Sequence, residues 1–98
     1  MSRRLLLRPE ARLDVEDAAF WYEDQRQGLG DRFTNELNTF LDRIAETPHQ
    51  FPEVGDSVRR GLLHQFPYAV YFMLEEEKVV VLAILHQRRK PDLWKRRV

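Results

Sequence analysis

The sequence contains no cysteine among its 98 residues. Disulfide bonds, thiolate zinc sites and a cysteine nucleophile are therefore excluded, and a reducing compartment fits this composition. Long apolar runs are absent too, since the longest, Val79 to Leu85, is strand-sized and a bilayer crossing needs about 20 residues. The three leucines at 5–7 are too few for a signal peptide and are followed by Arg8. We expect a cytoplasmic protein without a membrane segment.

Histidines are few and widely spaced. His49, His64 and His86 do not have the spacing of metal ligands, and no cysteine could complete a site with them. We therefore expect no metal and no cofactor.

Charge is balanced overall but unevenly distributed. Residues 10–46 carry four arginines against ten acids, whereas residues 86–98 carry six basic residues against one acid. The chain is long enough for one domain, 1–98, with 43% hydrophobic residues. An acidic first half and a basic end predict separate faces for separate partners.

The first half of the sequence has helical periodicity. A short strand over Arg3 to Arg8 ends at Pro9, and helices are predicted over 10–26 and 31–46 around a glycine-containing turn. Phe20 and Trp21 lie off the apolar stripe of the first helix, so they need either a place in the core or a partner. The stripe itself comprises Ala11, Val15, Ala18, Ala19 and Tyr22.

The second half has strand periodicity. Residues 48–57 are predicted to form a loop, and strands follow over Val58–Leu63, Tyr68–Leu74 and Val79–Leu85. The continuous apolar run of the last strand indicates that it is covered on both faces. The order β-α-α-β-β-β predicts an α+β fold, with an antiparallel helical hairpin packed on one face of a three-stranded antiparallel sheet. The N-terminal strand would join this sheet at its edge or centre.

Four segments of the second half occur in an order that resembles the RelE/ParE toxin superfamily. They are Val58-Arg59-Arg60, the proline–tyrosine stretch 66–71, the valine-rich run 80–86 ending at His86, and the basic stretch 88–94 with Pro91 and Trp94. The resemblance extends through the first half and covers nearly the whole chain. It implies the toxin of a type II toxin–antitoxin, or plasmid stabilisation, system, neutralised by a cognate antitoxin in a hetero-oligomer.

Two targets are known for such toxins, and the residues favour one of them. RelE-like members cleave messenger RNA on the ribosome, using basic groups and a proton-transfer group. Here Ala69 and Trp94 stand where that pattern has an arginine and a tyrosine, and an indole does not titrate usefully. The resemblance is therefore closer to ParE-like inhibitors of DNA gyrase, which act by binding. A nuclease built on Arg60, His86 and Arg88, with His64 as another acid–base candidate, is one alternative. An inactive binding module is another.

The resemblance and the charge pattern together give candidate binding residues. Phe20 and Trp21 are candidates for an antitoxin groove, with core packing as the competing interpretation. Residues 88–98 are expected to carry the effector surface, and their removal is expected to leave the sheet folded. The residues expected to contact a partner or target are Arg59, Arg60, Arg88, Arg89, Lys90, Trp94, Lys95, Arg96 and Arg97.

Overall fold

The computed structural model describes residues 2–98. Two α-helices precede most of a five-stranded sheet, and two short 3-10 helices lie at Pro48–Gln50 and Leu93–Arg96. The elements are β1 (Arg4–Leu7), α1 (Pro9–Gln25), α2 (Leu29–Glu46), β2 (Glu53–Gly55), β3 (Val58–Leu62), β4 (Tyr68–Glu75) and β5 (Lys78–His86).

The sheet has the strand order β1-β5-β4-β3-β2. The N-terminal strand β1 lies at an edge, parallel to β5, and every other pair is antiparallel. The α+β class and the helices on one face of the sheet are confirmed. Residues Val79–Leu85 are all buried, so the prediction of a strand covered on both faces is also confirmed.

The segment predicted as a loop contains one more strand. Residues 48–57 form a 3-10 turn and then β2, which pairs with β3. Asp56 and Ser57 connect the two strands with φ values of 52° and 64°. Positive φ at both central residues is the geometry of a tight hairpin turn whose twist matches the flanking strands. The sheet therefore has five strands, where the sequence predicted a three-stranded sheet joined by the N-terminal strand.

The turn between the helices is closed by a side chain. The Glu23 carboxylate accepts hydrogen bonds from the backbone N–H groups of Gly28 and Gly30, at 2.9 Å and 3.0 Å. These donors lie at the start of α2, where no intrahelical acceptor exists. Gly28 has φ +87°, which a glycine adopts without strain. With its N-terminus satisfied in this way, α2 begins at Leu29, two residues earlier than predicted.

One core fills the space between the helices and the sheet. The predicted stripe of α1 faces it through Ala11, Ala18 and Tyr22. Tyr22 meets the ring of Phe66 at 4.8 Å and that of Phe33 at 5.4 Å between centroids. Aromatic pairs at such distances contribute about 0.5–1.5 kcal/mol beyond the area that they bury. This face of the sheet is therefore held by many overlapping contacts.

The opposite face of the sheet is covered by the C-terminal segment 91–97, here called the tail. Trp94 is 5% exposed and stacks on Tyr71 with centroids 5.7 Å apart and rings 14° from parallel. The Tyr71 hydroxyl donates to the Pro91 carbonyl at 3.2 Å. A bulge in the β4–β5 ladder lets the consecutive residues Leu82 and Ala83 both join this second cluster.

An ion pair between α1 and the tail completes the edge of β5. Arg97 donates to both carboxylate oxygens of Asp14, at 2.6 Å and 3.2 Å, and to the Leu82 carbonyl at 3.1 Å. Asp14 in turn accepts the Ile84 N–H at 2.9 Å. The pairing of β1 with β5 ends near Val81, so these two side chains satisfy backbone groups that the next residues of a longer strand would have paired. The tail is thereby fixed to the fold.

Candidate functional site

The basic end of the chain divides into exposed and buried side chains. Arg88, Arg89, Lys90, Lys95 and Arg96 are exposed. Lys95 has an acidic neighbour, Asp92, at 3.6 Å, with both side chains in solvent. Five cations therefore remain accessible to a partner at this end of the molecule.

Trp94 and Arg97 occupy structural positions instead. The indole of Trp94 fills the second cluster against Tyr71, and the Arg97 side chain is 13% exposed in its pair with Asp14. The sequence expectation that both side chains contact a target is not supported by this placement, because their binding groups are already used within the fold. The physical reason is that the second face of the sheet is apolar and only the tail covers it.

Arg59 and Arg60 point to opposite faces of the sheet, as adjacent strand residues must. Arg59 pairs with Phe72 of the helix-covered face and donates to the Phe51 carbonyl at 2.6 Å. Arg60 pairs with Tyr71 of the tail-covered face and is half-buried. Of these two arginines, only Arg60 has a guanidinium with no hydrogen-bond partner within residues 2–98.

Of the three candidate nuclease residues, Arg88 lies next to His86, whose Nδ1 accepts its backbone N–H, but Arg60 lies apart from both. Arg60 lies beside Tyr71 on the tail-covered face, whereas His86 pairs with Tyr68, a residue of the core under the helices. The two side chains are therefore on opposite faces and several rows apart. Ala69 is fully buried in the second cluster, where the tail covers it. His64 is exposed on the α2 side, where its backbone N–H donates to Glu36 at 2.7 Å.

The two aromatics of α1 are at the surface. Phe20 is 77% exposed and Trp21 is 43% exposed, so core packing does not account for them. Leu13, two turns earlier on the same helix, is 58% exposed. Helical spacing places Leu13 and Phe20 in line on the outer side of α1 and Trp21 about 100° further round, with the exposed acids Asp17 and Asp24 between them.

A cleft of about 260 Å³ separates α1 from the residues that follow β5. The Arg89 guanidinium lies 5.2 Å from the ring centroid of Trp21 across this cleft. That distance is within the range of a cation–π contact. We call this cleft the α1–tail cleft because the tail continues directly from Arg89 and Lys90 at its basic wall. It is lined by Asp14, Asp17, Ala18, Trp21, Tyr68, Ile84, Leu85, His86, Arg89 and Lys90.

Two residues of the cleft have perturbed acid–base properties. Burial, with Arg89 and Arg88 nearby, lowers the pKa of His86. The His86 Nδ1 accepts the backbone N–H of Arg88 at 3.0 Å, so the neutral ring carries its proton on Nε2. Burial raises the pKa of Tyr68, and Arg89 opposes this with a smaller effect. The raised pKa keeps the Tyr68 hydroxyl protonated at neutral pH. Both residues therefore present hydrogen-bond donors at neutral pH.

Sequence reasoning named several of these residues but missed the site that they form. Trp21 was a candidate for an antitoxin groove and Arg89 for contact with a partner or target, and the structure places the two in contact. Tyr68 and Asp17 were not singled out, because each looks like an ordinary strand or helix residue. No local pattern connects positions this far apart in the sequence.

Comparisons with known proteins identify the family. A family model described as ParE toxin of type II toxin–antitoxin system, parDE, matches residues 5–91. The solved structure of a chromosomal ParDE toxin–antitoxin system from P. aeruginosa matches with a TM-score of 0.78 and 15% identity, covering 87% of this chain and 96% of that chain. No curated protein matches the sequence. Neither helix within residues 2–98 has the length and hydrophobicity that a membrane crossing requires. The family match spans both α-helices and all of the sheet except its first residue, and the chain therefore belongs to the ParE toxin family of type II toxin–antitoxin systems.

Proposed function

We propose that this ParE-type toxin arrests growth by binding DNA gyrase and that a cognate antitoxin neutralises it by direct contact. The observation that carries the choice of target is that Arg60 lies on the opposite face of the sheet from His86, so that Arg60, His86 and Arg88 do not form one site. A nuclease site needs its charge-stabilising and proton-transfer groups within about 3 Å of the reacting atoms. Binding to a protein target does not require such convergence.

The exposed cations Arg88, Arg89, Lys90 and Arg96 support this proposal as a target-binding surface. Arg88, Arg89 and Lys90 directly follow β5, and Arg96 lies in the tail. A clustered positive surface raises association rates with negatively charged partners and sets orientation. A cytoplasmic location and a role in plasmid stabilisation are parts of the same proposal, since gyrase acts on DNA in the cytoplasm.

The outer face of α1 supports the antitoxin part of the proposal. Exposed apolar residues at helical spacing, here Leu13, Phe20 and Trp21, fit an apolar segment of a partner. Aromatic residues of this kind are often the side chains that dominate binding energy at an interface. Binding by the antitoxin would bury apolar area that the isolated toxin leaves in water.

The test is a pair of readouts on one protein preparation. We expect the purified toxin to inhibit supercoiling by gyrase and to leave transcripts intact in a translating extract. Arg88→Gln combined with Lys90→Gln should weaken inhibition. Arg4→Gln combined with Lys78→Gln, at the far end of β5, is the charge-matched control. Cleaved transcripts with normal supercoiling would overturn the gyrase proposal in favour of the RelE-like nuclease, and no effect in either assay would favour an inactive binding module.

A further inference from the structure

We propose that the α1–tail cleft is the anchoring site for an acidic side chain of the antitoxin, a glutamate or aspartate next to an apolar residue. This inference rests on the proposed neutralisation by an antitoxin and assigns it a location and a chemistry. Its consequence is that the bound antitoxin covers Arg89 and Lys90, so that antitoxin and target compete for one surface.

The first argument is the set of hydrogen-bond donors that line the cleft. Tyr68, His86, Arg89 and Lys90 all line the cleft, and each has a side-chain group that can donate a hydrogen bond. A carboxylate accepts several hydrogen bonds at once, and bonds from charged donors are the stronger ones. Four donors around one small cleft therefore fit a carboxylate better than a neutral group.

The second argument is that these cations have no acidic partner of their own. The two ion pairs within residues 2–98 are Lys95 with Asp92 and Arg97 with Asp14, so neither uses Arg89 or Lys90. Arg89 instead lies over Trp21 at 5.2 Å. Its position is therefore fixed by an aromatic ring while its hydrogen-bonding groups remain available, which pre-organises it for an incoming anion.

The third argument concerns which anion fits. Asp14 lines the cleft but is committed to Arg97 and the Ile84 N–H. Asp17 lines it as well, and Glu16 and Asp24 are exposed on the same helix. A nucleic-acid strand crossing this region would bring successive phosphates against those acids. A single carboxylate at the basic wall avoids them, and its apolar neighbour would contact Trp21 and Phe20.

The experiment measures binding of the cognate antitoxin by titration calorimetry at physiological salt. We expect Arg89→Gln to weaken binding about ten-fold or more, because an anchoring charge pair is lost. Arg12→Gln removes another exposed arginine, from α1 outside the cleft, and should change the affinity less than two-fold. Arg89 is exposed, and an unchanged thermal midpoint will show that the variant folds.

A double-mutant cycle then identifies the carboxylate. Each acid of the antitoxin is changed to its amide and tested with wild-type toxin and with Arg89→Gln. Non-additive losses at one acid support the proposal, and additive losses at every acid overturn it while leaving neutralisation itself intact. No binding by the wild-type toxin would instead remove the proposed function. Arg89→Gln that weakens binding of a single-stranded oligonucleotide but not of the antitoxin would also overturn the proposal, in favour of a phosphate site.

Discussion

The two faces of the sheet are covered in different ways. Two helices of 17 and 18 residues pack on one face, where Tyr22, Phe33, Phe66 and Tyr68 form a continuous aromatic cluster. The other face has only the tail, with one buried indole and one arginine that reaches α1. The first face distributes its stability over many contacts, whereas the second concentrates it in two side chains.

This difference assigns two roles to the basic end of the chain. Its exposed residues Arg88, Arg89 and Lys90 are available to partners, whereas Trp94 and Arg97 hold the fold. The sequence predicts that removal of residues 88–98 leaves the sheet folded. We now expect this truncation to destabilise the domain, because it removes Trp94 from the apolar face that it covers. Loss of toxicity after truncation would not distinguish a missing effector surface from a destabilised domain.

The largest expected effect comes from a charge placed in either core. Val81 and Leu82 are adjacent on β5, both 0% exposed, and belong to different clusters. We expect Val81→Asp and Leu82→Asp each to abolish cooperative urea unfolding, because an unpaired buried carboxylate costs several kcal/mol, on the order of the whole stability of a small domain. Leu62→Asp, at a position 55% exposed, should unfold cooperatively. If Leu82→Asp folds and Val81→Asp does not, the tail-covered face of the sheet is accessible to solvent in solution.

The next effect isolates the tail. We expect Trp94→Ala to lower the free energy of unfolding by about 3–5 kcal/mol, the usual cost of removing a buried tryptophan. Urea denaturation measures this loss, with Lys95→Ala as the neighbouring exposed control, expected to stay within about 0.5 kcal/mol. A small loss of stability for Trp94→Ala would mean that the sheet is stable without the tail packed on it. The conclusion that stability of the second face depends on two side chains would then be wrong.

A smaller effect is expected at the ion pair that fixes the tail. Arg97→Gln should cost about 2–3 kcal/mol, below the range for fully buried pairs because both side chains retain some exposure. It should also speed hydrogen exchange at the Ile84 amide, whose acceptor is Asp14. Disrupting the exposed pair by Lys95→Gln should change stability by less than about 1 kcal/mol. Equal losses for the two pairs would show that closing the edge of β5 adds nothing.

The sequence predicted the elements whose information is local. The seven consecutive apolar residues from Val79 predicted the central strand, and the stripe from Ala11 to Tyr22 predicted the buried side of α1. The strand β2 was missed because its turn uses Asp56 and Ser57 at positive φ, where asparagine and glycine are the usual signal. A three-residue strand next to Pro52 has little pattern of its own.

The candidate site was only partly predictable, because it depends on pairs distant in sequence. The contacts of Trp21 with Arg89 and of Asp14 with Arg97 join α1 to the C-terminal end. Charge composition showed that this end is basic. It could not show which cations are exposed and which are paired, because that depends on how the tail crosses the sheet. Exposure of Phe20 and Trp21 was one of two open interpretations, and the structure supports it.

The smallest expected effect is a pH dependence of stability that arises on the helix-covered face alone. Burial, followed by Arg89 and Arg88, lowers the pKa of His86 in the folded state, and Tyr68, Asp14 and Asp17 line the same cleft. Because the folded pKa lies below the unfolded value of about 6.5, the unfolded chain binds the proton first as pH falls. Stability should therefore decrease as pH drops from about 7 through 6.5 toward the folded pKa.

His86→Gln should remove that part of the pH dependence, whereas His49→Gln, on the exposed 3-10 turn after α2, should leave it in place. The measurement is the urea midpoint of the wild type and both variants at several pH values between about 5.5 and 7.5. In this range the carboxylates contribute nearly equally to the pH dependence of stability in all three proteins. Because His86 belongs to the cleft at the open end of the helix-covered face, the loss should leave the Trp94 environment unchanged. A pH dependence that persists in His86→Gln would assign it to groups elsewhere, and a simultaneous change in Trp94 fluorescence would show that the two faces are coupled rather than independent.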